Sequence, residues 1–155
     1  MKNLIIIAFA CALFSCANCE KESTTTSPKD TFIGSWQLLT SEYIKKDTII
    51  SNVVAGQTMI KIITPTHFAF FSHDTIKGVD STAMYMSGGG TYHFKGEKYV
   101  ENLEYCTARQ WEKHSFEFDL EIKGDTLIQT GIEELEDLGL GAENMLLVEK
   151  YVRIK

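Results

Sequence analysis

The sequence predicts an all-β fold, an eight-stranded antiparallel up-and-down barrel, and three observations lead to that prediction. From Thr31 onward, apolar residues recur at every second position rather than at the helical period of about 3.6. Segments rich in β-branched and aromatic residues alternate with short turn signals. Long helical patterns are absent. Closing such a meander into a barrel removes its unpaired sheet edges, and a two-sheet sandwich is the alternative.

The clearest strand covers residues 114–122, where Phe116, Phe118, Leu120 and Ile122 alternate with polar residues. This pattern is typical of an antiparallel strand with one face in the core and the other in solvent. The turn at 123–125 predicts a hairpin between this strand and the next, and 95–97 is another tight turn signal, between two earlier strands. The eight predicted strands are 34–44, 58–64, 66–73, 90–94, 98–106, 114–122, 126–132 and 144–154. Two further segments, 49–56 and 133–138, are predicted as possible short helices at a barrel end.

Length and composition limit the possible functions. A chain of 155 residues suits one domain, and its 44% hydrophobic and 23% charged residues are ordinary for a globular protein. The formal net charge of −6 argues against a nucleic-acid partner, because affinity for DNA or RNA depends on neutralising phosphates with Lys and Arg.

The N-terminus has the layout of an export signal. Lys2 precedes an apolar stretch over 4–14, which is too short for a membrane helix but suits a signal peptide. Leu13-Phe14-Ser15-Cys16 resembles a bacterial lipobox, which predicts a signal peptide over 1–15 and lipidation of Cys16. Ordinary cleavage after Ala10-Cys11-Ala12 is the alternative.

Residues 16–31 are predicted as the lipidated cysteine and a flexible tether, since they contain no aromatic or large aliphatic residue. The chain is therefore expected in the cell envelope, anchored to a membrane by lipid and facing either the periplasm or the cell surface. Glu20 and Glu22 favour the surface only weakly. Cys19 and Cys106 are expected to be free thiols, and a disulfide between them is the alternative that an oxidising envelope permits.

The start and end of the domain carry a family signature. Gly34-Ser35-Trp36 opens the first strand and resembles the G-x-W motif of lipocalin barrels. In that superfamily an arginine near the last strand packs over the tryptophan. The resemblance assigns that barrel-closing contact to Trp36 and Arg153.

A wider resemblance covers residues 32–155. Lys61-Ile62-Ile63-Thr64-Pro65-Thr66-His67-Phe68 and Gly88-Gly89-Gly90-Thr91-Tyr92 resemble segments of a lipocalin-like domain family of unknown function. The family is common in Bacteroidetes, and its members are often lipoproteins. It implies a small calycin-type barrel and no known reaction.

Two polar residues are candidate ligand contacts. His67 lies beside aromatic residues and would contact a ligand, or a haem-like metal, if it faced inward; a hydrogen-bonded barrel histidine is the alternative. Tyr99, Glu101, Leu103 and Tyr105 are predicted to share the inner face of one strand. Glu101 would then be a pocket carboxylate, although a solvated rim position is equally compatible. Exchange of Glu101 for Gln is expected to change ligand affinity more than stability.

Other patterns have structural explanations. Gly88-Gly89-Gly90 lacks the helix and lysine of a phosphate-binding loop and predicts a bulge or bend. The four histidines, His67, His73, His93 and His114, lack zinc-site spacing, and His93 is predicted to be exposed. The acidic run over 133–137 lacks the ligand spacing of a calcium loop. We therefore expect no metal and no cofactor.

The sequence leaves two main functions open. The first is a monomeric carrier or sensor for a small hydrophobic or amphipathic ligand. Its ligand-binding residues would be His67, Phe68, Tyr92, Tyr99, Glu101 and Phe116, with Trp36, Phe70 and Phe118 completing the interior. The second is a barrel filled by side chains that contacts a protein or glycan through its surface. An enzyme is not expected, because no nucleophile–base pair can be named.

Overall fold

A computed structural model of the chain describes residues 31–53, 55–139 and 141–155. The predicted signal peptide, the lipidation of Cys16 and most of the predicted tether lie outside these residues. Within them the structure is all-β, with nine strands and one 3₁₀ turn at Arg109–Trp111. The strands are β1 Gly34–Lys45, β2 Thr48–Ser51, β3 Gln57–Ile63, β4 His67–Asp74, β5 Tyr85–Lys95, β6 Lys98–Cys106, β7 His114–Lys123, β8 Thr126–Glu133 and β9 Met145–Arg153.

Eight of these strands form a closed antiparallel barrel, which confirms the predicted fold class. Sequential strands from β3 to β9 pair with their neighbours, and β9 returns to pair along β1. The first residues of β1, Gly34–Gln37, pair with β3. Its last residues, Glu42–Lys45, instead pair with the additional strand β2. The nine strands and the buried core of the described residues belong to this one sheet and its interior.

Both predicted short helices are wrong. The first overlaps β2, where Thr48, Ile49 and Ile50 favour extended backbone as β-branched residues. The second begins at Glu133, which is the last residue of β8. The residues after it form hydrogen-bonded turns, with Leu138 N–H donating to the Glu134 carbonyl. Strand pairing continued further in both places than the sequence pattern indicated.

The two ends of the barrel differ in their connections. At the end that we call the closed end, β5 joins β6 and β7 joins β8 through tight turns. Gly96 and Gly124 adopt φ values of 65° and 61° in these turns, which glycine tolerates best. The opposite end, called the mouth, carries the longer connections 75–84, 107–113 and 134–144.

Alternation along the strands largely follows the prediction. In β7 the polar residues are exposed, Phe118 is buried and Phe116 is half-buried. His93 is exposed, as expected. Tyr105 was wrongly assigned to the interior: it is 71% exposed, and Cys106 is buried instead. The cause is a bulge, because Gly90 pairs with Leu103 whereas Gly89 pairs with Tyr105, so alternation reverses there.

The three consecutive glycines permit this bulge and the close packing around it. A Cβ atom at Gly90 would overlap the Asn102 carbonyl oxygen. A Cβ atom at Gly88 would lie 2.6 Å from the Phe70 ring. Any larger residue would force strands β4, β5 and β6 apart, which agrees with the structural role predicted for this run.

Trp36 and Arg153 meet at the closed end. Arg153 Cζ lies 4.1 Å from the centre of the Trp36 ring, and its Nη1 donates a 2.9 Å hydrogen bond to the Ile33 carbonyl. The glycine at position 34 provides the space for this arginine, because a Cβ atom there would lie 2.5 Å from Arg153 Nη1. The arginine thus ties the last strand to the entering chain, in the manner that the lipocalin resemblance implies.

An aromatic plug fills the interior just inside the closed end. Phe32 is 4% exposed, and its carbonyl accepts a 2.7 Å hydrogen bond from Trp36 Nε1. The rings of Tyr92, Phe94 and Tyr99 surround Phe32 with centroids 5.5 to 5.8 Å away. Edge-to-face contacts of this kind stabilise beyond the area they bury. Among the described residues the plug therefore fills the closed end, and the cavity described below lies on its mouth side.

Candidate ligand-binding cavity

A cavity of about 740 Å³ occupies the barrel between the aromatic plug and the mouth. Its volume lies within the range of small-molecule sites, roughly 300–1,000 Å³. Val53, Tyr85 and Met86 line it at the mouth and are themselves exposed, so the cavity opens to solvent. The barrel is therefore not filled by its side chains.

The two sides of the cavity differ in polarity. Strands β4, β6 and β7 contribute an apolar wall made of Phe68, Phe70, Leu103, Phe116 and Phe118. Strands β1, β8 and β9 contribute what we call the polar wall, which contains Ser41, Tyr43, Gln129, Glu133 and Glu149 together with the apolar Leu38 and Leu147. Alternation along each strand decides which of its side chains face the cavity. A molecule with one apolar and one polar side would match both walls.

A buried ion pair forms the floor. Lys61 on β3 and Glu101 on β6 are in direct contact, with side chains only 3% and 8% exposed. Lys61 Nζ also donates a 2.7 Å hydrogen bond to Gln129 Oε1. Phe68, Tyr99, Phe118 and Tyr151 present rings to the ammonium at 5.5 to 6.0 Å. Such partners offset the cost of removing both charges from water.

Glu149 lies beside this pair on the polar wall. Tyr151 donates a 2.7 Å hydrogen bond to it, and Ser41 lies 3.5 Å away. Burial raises the pKa of the Glu149 carboxyl, against the lowering effect of Lys61. The same burial, reinforced by Glu149, raises the pKa of Tyr151 well above its usual value. Tyr151 therefore remains a hydrogen-bond donor to this carboxylate at any physiological pH.

A second tyrosine–glutamate pair lies nearer the mouth. Tyr43 on β1 donates a hydrogen bond to Glu133 at the end of β8. Burial raises the pKa of both groups, and the nearby Glu149 charge adds to the effect on each. Polar groups thus continue along one wall from the floor to the mouth.

The 75–84 connection beside the mouth is held by Asp74. Its carboxylate accepts hydrogen bonds from the backbone N–H groups of Ile76, Gly78 and Met84 at 2.9 to 3.0 Å. These bonds lower the pKa of Asp74, because they favour its charged form. Met84 lines the cavity, so Asp74 fixes part of its rim.

The structure brings together three of the six predicted ligand contacts. Phe68, Glu101 and Phe116 line the cavity, Glu101 at the floor and the two rings on the apolar wall. Tyr99 lies below the floor, where it is fully buried. Burial, then the Glu101 charge, raises the pKa of Tyr99. Tyr99 is therefore a core residue beside Glu101 and does not line the cavity.

His67 and Tyr92, two of the predicted ligand contacts, do not line the cavity. His67 is exposed on the outside of β4, where its ring nitrogen lies 2.8 Å from the Thr66 hydroxyl. Because Phe68 faces inward, its neighbour must face outward. Tyr92 belongs to the aromatic plug, and its hydroxyl donates a 2.7 Å hydrogen bond to the Thr64 carbonyl.

Several important residues escaped the sequence analysis, above all Lys61, Gln129, Glu133 and Glu149. Lys61 lies two residues from both Met59 and Ile63, so the three share one face of β3. This spacing was the available signal for an inward lysine. The signal was hidden because Ile60 and Ile62 make the outer face apolar as well. Glu149 was similarly two residues from Tyr151, in phase with it.

The remaining candidates form no further site in the part of the chain that the structure describes. Cys106 is a buried free thiol that lines the cavity, and its possible partner Cys19 lies outside the described residues. No group of three or more His, Cys, Asp or Glu in that part could hold a metal ion. No described helix is long and apolar enough to cross a membrane.

Comparison with models of known protein families and with curated protein sequences found no significant match.

Proposed function

We propose that this protein is a lipocalin-like lipoprotein of the cell envelope that binds a small, partly apolar ligand inside its barrel. The single observation that supports this most is the cavity of about 740 Å³ with one apolar and one polar wall. Pockets that combine an apolar lining with a few converging polar groups are typical of small-molecule sites. We propose no catalytic role, no cofactor and no nucleic-acid partner for it.

The alternative is an interaction module that acts through its outer surface. That function would be served equally well by a barrel packed with side chains, which would also be more stable. Keeping a space of this size open sacrifices packing contacts, and a ligand that occupies the space would restore them. The cavity therefore favours the ligand-binding proposal over the interaction module.

Anchoring through Cys16 would attach the barrel to the membrane by its closed end. The chain enters the barrel there, where Arg153 binds the carbonyls of Thr31 and Ile33. The mouth lies at the end opposite this attachment. Cys16→Ala is expected to abolish membrane association, and a membrane-bound Cys16→Ala protein would contradict the anchor.

The barrel is proposed to act as a monomer. Closure leaves only the four-residue strand β2 with an unpaired edge among the described residues, and short edge strands pair poorly between chains.

Native mass spectrometry of the whole protein, extracted from the source envelope in mild detergent without denaturation, tests the proposal. A discrete adduct that is lost on unfolding is expected. A matched pair of variants locates it: Leu103→Trp places an indole in the cavity, whereas Leu39→Trp alters a residue that is 52% exposed. Loss of the adduct only in Leu103→Trp would place the ligand inside the barrel. A bare mass for the unmodified protein would favour the interaction module.

A further inference from the structure

The charges inside the cavity are unbalanced. Four charged side chains line it: Lys61, Glu101, Glu133 and Glu149. Lys61 is already engaged by Glu101 and Gln129. The lining therefore holds two carboxyl groups, those of Glu133 and Glu149, for which it offers no cation in direct contact.

The partners of these two carboxyl groups are neutral. Glu149 accepts from Tyr151, and Glu133 accepts from Tyr43. A hydroxyl satisfies one lone pair of a carboxylate but does not neutralise its charge. When either group is ionised, its charge has no counter-ion in direct contact among the described lining residues, and the cost of burying that charge is offset only in part.

The apolar wall is also suited to a cation. Phe116, Phe118 and Trp111 line the cavity, and β7, which carries the two phenylalanines, pairs with β8 of the polar wall; the ring centres of Trp111 and Phe116 are 5.7 Å apart. Aromatic faces attract an ammonium group as well as an apolar body. A ligand carboxylate, by contrast, would meet two groups of its own charge.

From this juxtaposition we infer that the cavity selects an apolar molecule carrying one protonated amine, whose ammonium group binds Glu149 and passes Glu133 on entry. The inference rests on the proposed ligand-binding function and names the class of ligand. Glu149 pairs in register with Ser41 and Gln129, about halfway down the barrel. Glu133 pairs with Met145 at the mouth end of β8. The apolar part of the ligand would then lie against the phenylalanine rings.

Binding of such an amine would displace a proton. Burial raises the pKa of Glu149, so the empty barrel holds a proton there more readily than a solvated glutamate would. An ammonium group beside it favours the charged carboxylate. Affinity for the amine should therefore rise with pH, whereas affinity for a neutral analogue should not. The groups that face Glu149 from the surrounding strands are Ser41 and Tyr43 on β1, Lys61 on β3, Glu101 on β6, Gln129 and Glu133 on β8, and Tyr151 on β9.

Three probes of equal chain length test the inference: decylamine, decanol and decanoate, titrated below their aggregation limits into residues 20–155. We expect decylamine to bind at least about tenfold more tightly than decanol, the scale of one charged hydrogen bond in a buried site. Decanoate should bind more weakly than decanol. Equal or tighter binding of decanoate would overturn the inference.

A pair of variants assigns the preference to Glu149. Glu149→Gln should reduce the preference for decylamine over decanol by about tenfold and leave decanol binding within about twofold. Glu121→Gln changes an outward-facing glutamate of β7, 56% exposed, and should leave all three affinities unchanged. Glu133→Gln serves as a second variant if Glu149→Gln unfolds. An amine preference that survives both cavity variants would overturn the inference.

The outcomes separate the two proposals. If decanol or decanoate binds inside the barrel but decylamine is not preferred, the ligand-binding proposal stands and the amine inference fails. If none of the three probes binds, and the envelope protein carries no adduct, both fail together.

Discussion

Loss of Lys61 should be one of the most damaging single changes in this barrel. Lys61→Met keeps most of the side-chain volume but leaves Glu101 without a counter-ion at a position where its side chain is 8% exposed. Breaking a buried ion pair by removing one partner costs about 3–5 kcal/mol, because the remaining charge is uncompensated. A domain of this size has a net stability of roughly 5–15 kcal/mol. The change would thus remove a large fraction of the free energy of unfolding.

The assay is equilibrium denaturation of residues 20–155 carrying Lys61→Met, Glu101→Gln and both changes together. Glu101→Gln alone should also be strongly destabilising, since it leaves the Lys61 ammonium without its carboxylate. The sequence alone predicted that Glu101→Gln would change ligand affinity more than stability, because no partner of Glu101 was known. Its contact with Lys61 reverses that prediction. The double variant should recover most of the loss, because neither charge then remains buried.

Lys98 and Asp119 supply the control, since they form a 2.7 Å ion pair on the outer surface with side chains 48% and 64% exposed. Removing this pair should change stability little. A loss below about 1 kcal/mol for Lys61→Met, or a double variant as unstable as the sum of the two single variants, would refute the argument from burial.

Three further changes are predicted. Gly90→Ala should destabilise the protein by more than about 2 kcal/mol in denaturation, because its Cβ would overlap the Asn102 carbonyl oxygen and disrupt the bulge; a loss under about 0.5 kcal/mol would contradict this. For Glu149, whose pKa is raised by burial, the folded state binds the proton more tightly, so the free energy of unfolding should fall as pH rises from 4.5 toward the raised pKa. Glu149→Gln should show a smaller fall, with the part due to Glu133 remaining because burial raises the pKa of that group too, and an unchanged pH profile would oppose the assignment. Arg153→Met should cost about 2 kcal/mol through the lost cation–π contact and hydrogen bonds to the entering chain, whereas Lys155→Met should not; equal effects of the two would refute the closing role of Arg153.

Alternation and turn chemistry by themselves indicated the all-β class, the eight barrel strands and the tight turns at Gly96 and Gly124, because in a strand with one buried face every second residue is apolar. They left a two-sheet sandwich as the alternative to a barrel, and they predicted only the second half of β5. The glycine run also indicated a bulge. The pattern could not show which side chains face the interior after that bulge, where Tyr105 points outward and Cys106 is buried.

Only the tertiary structure decided the contents of the cavity. Lys61 and Glu101 are forty residues apart in the chain, and their contact exists because barrel closure brings β3 and β6 to face each other across the interior. The sequence pattern also suggested an inward position for His67, because the aromatic residues around it were counted on both faces of β4. The structure places His67 on the outer face. The sequence determines which residues form strands, because that choice depends on neighbours along the chain. Which charged side chains come into contact depends on distances across the barrel, and these distances are fixed only when the barrel closes.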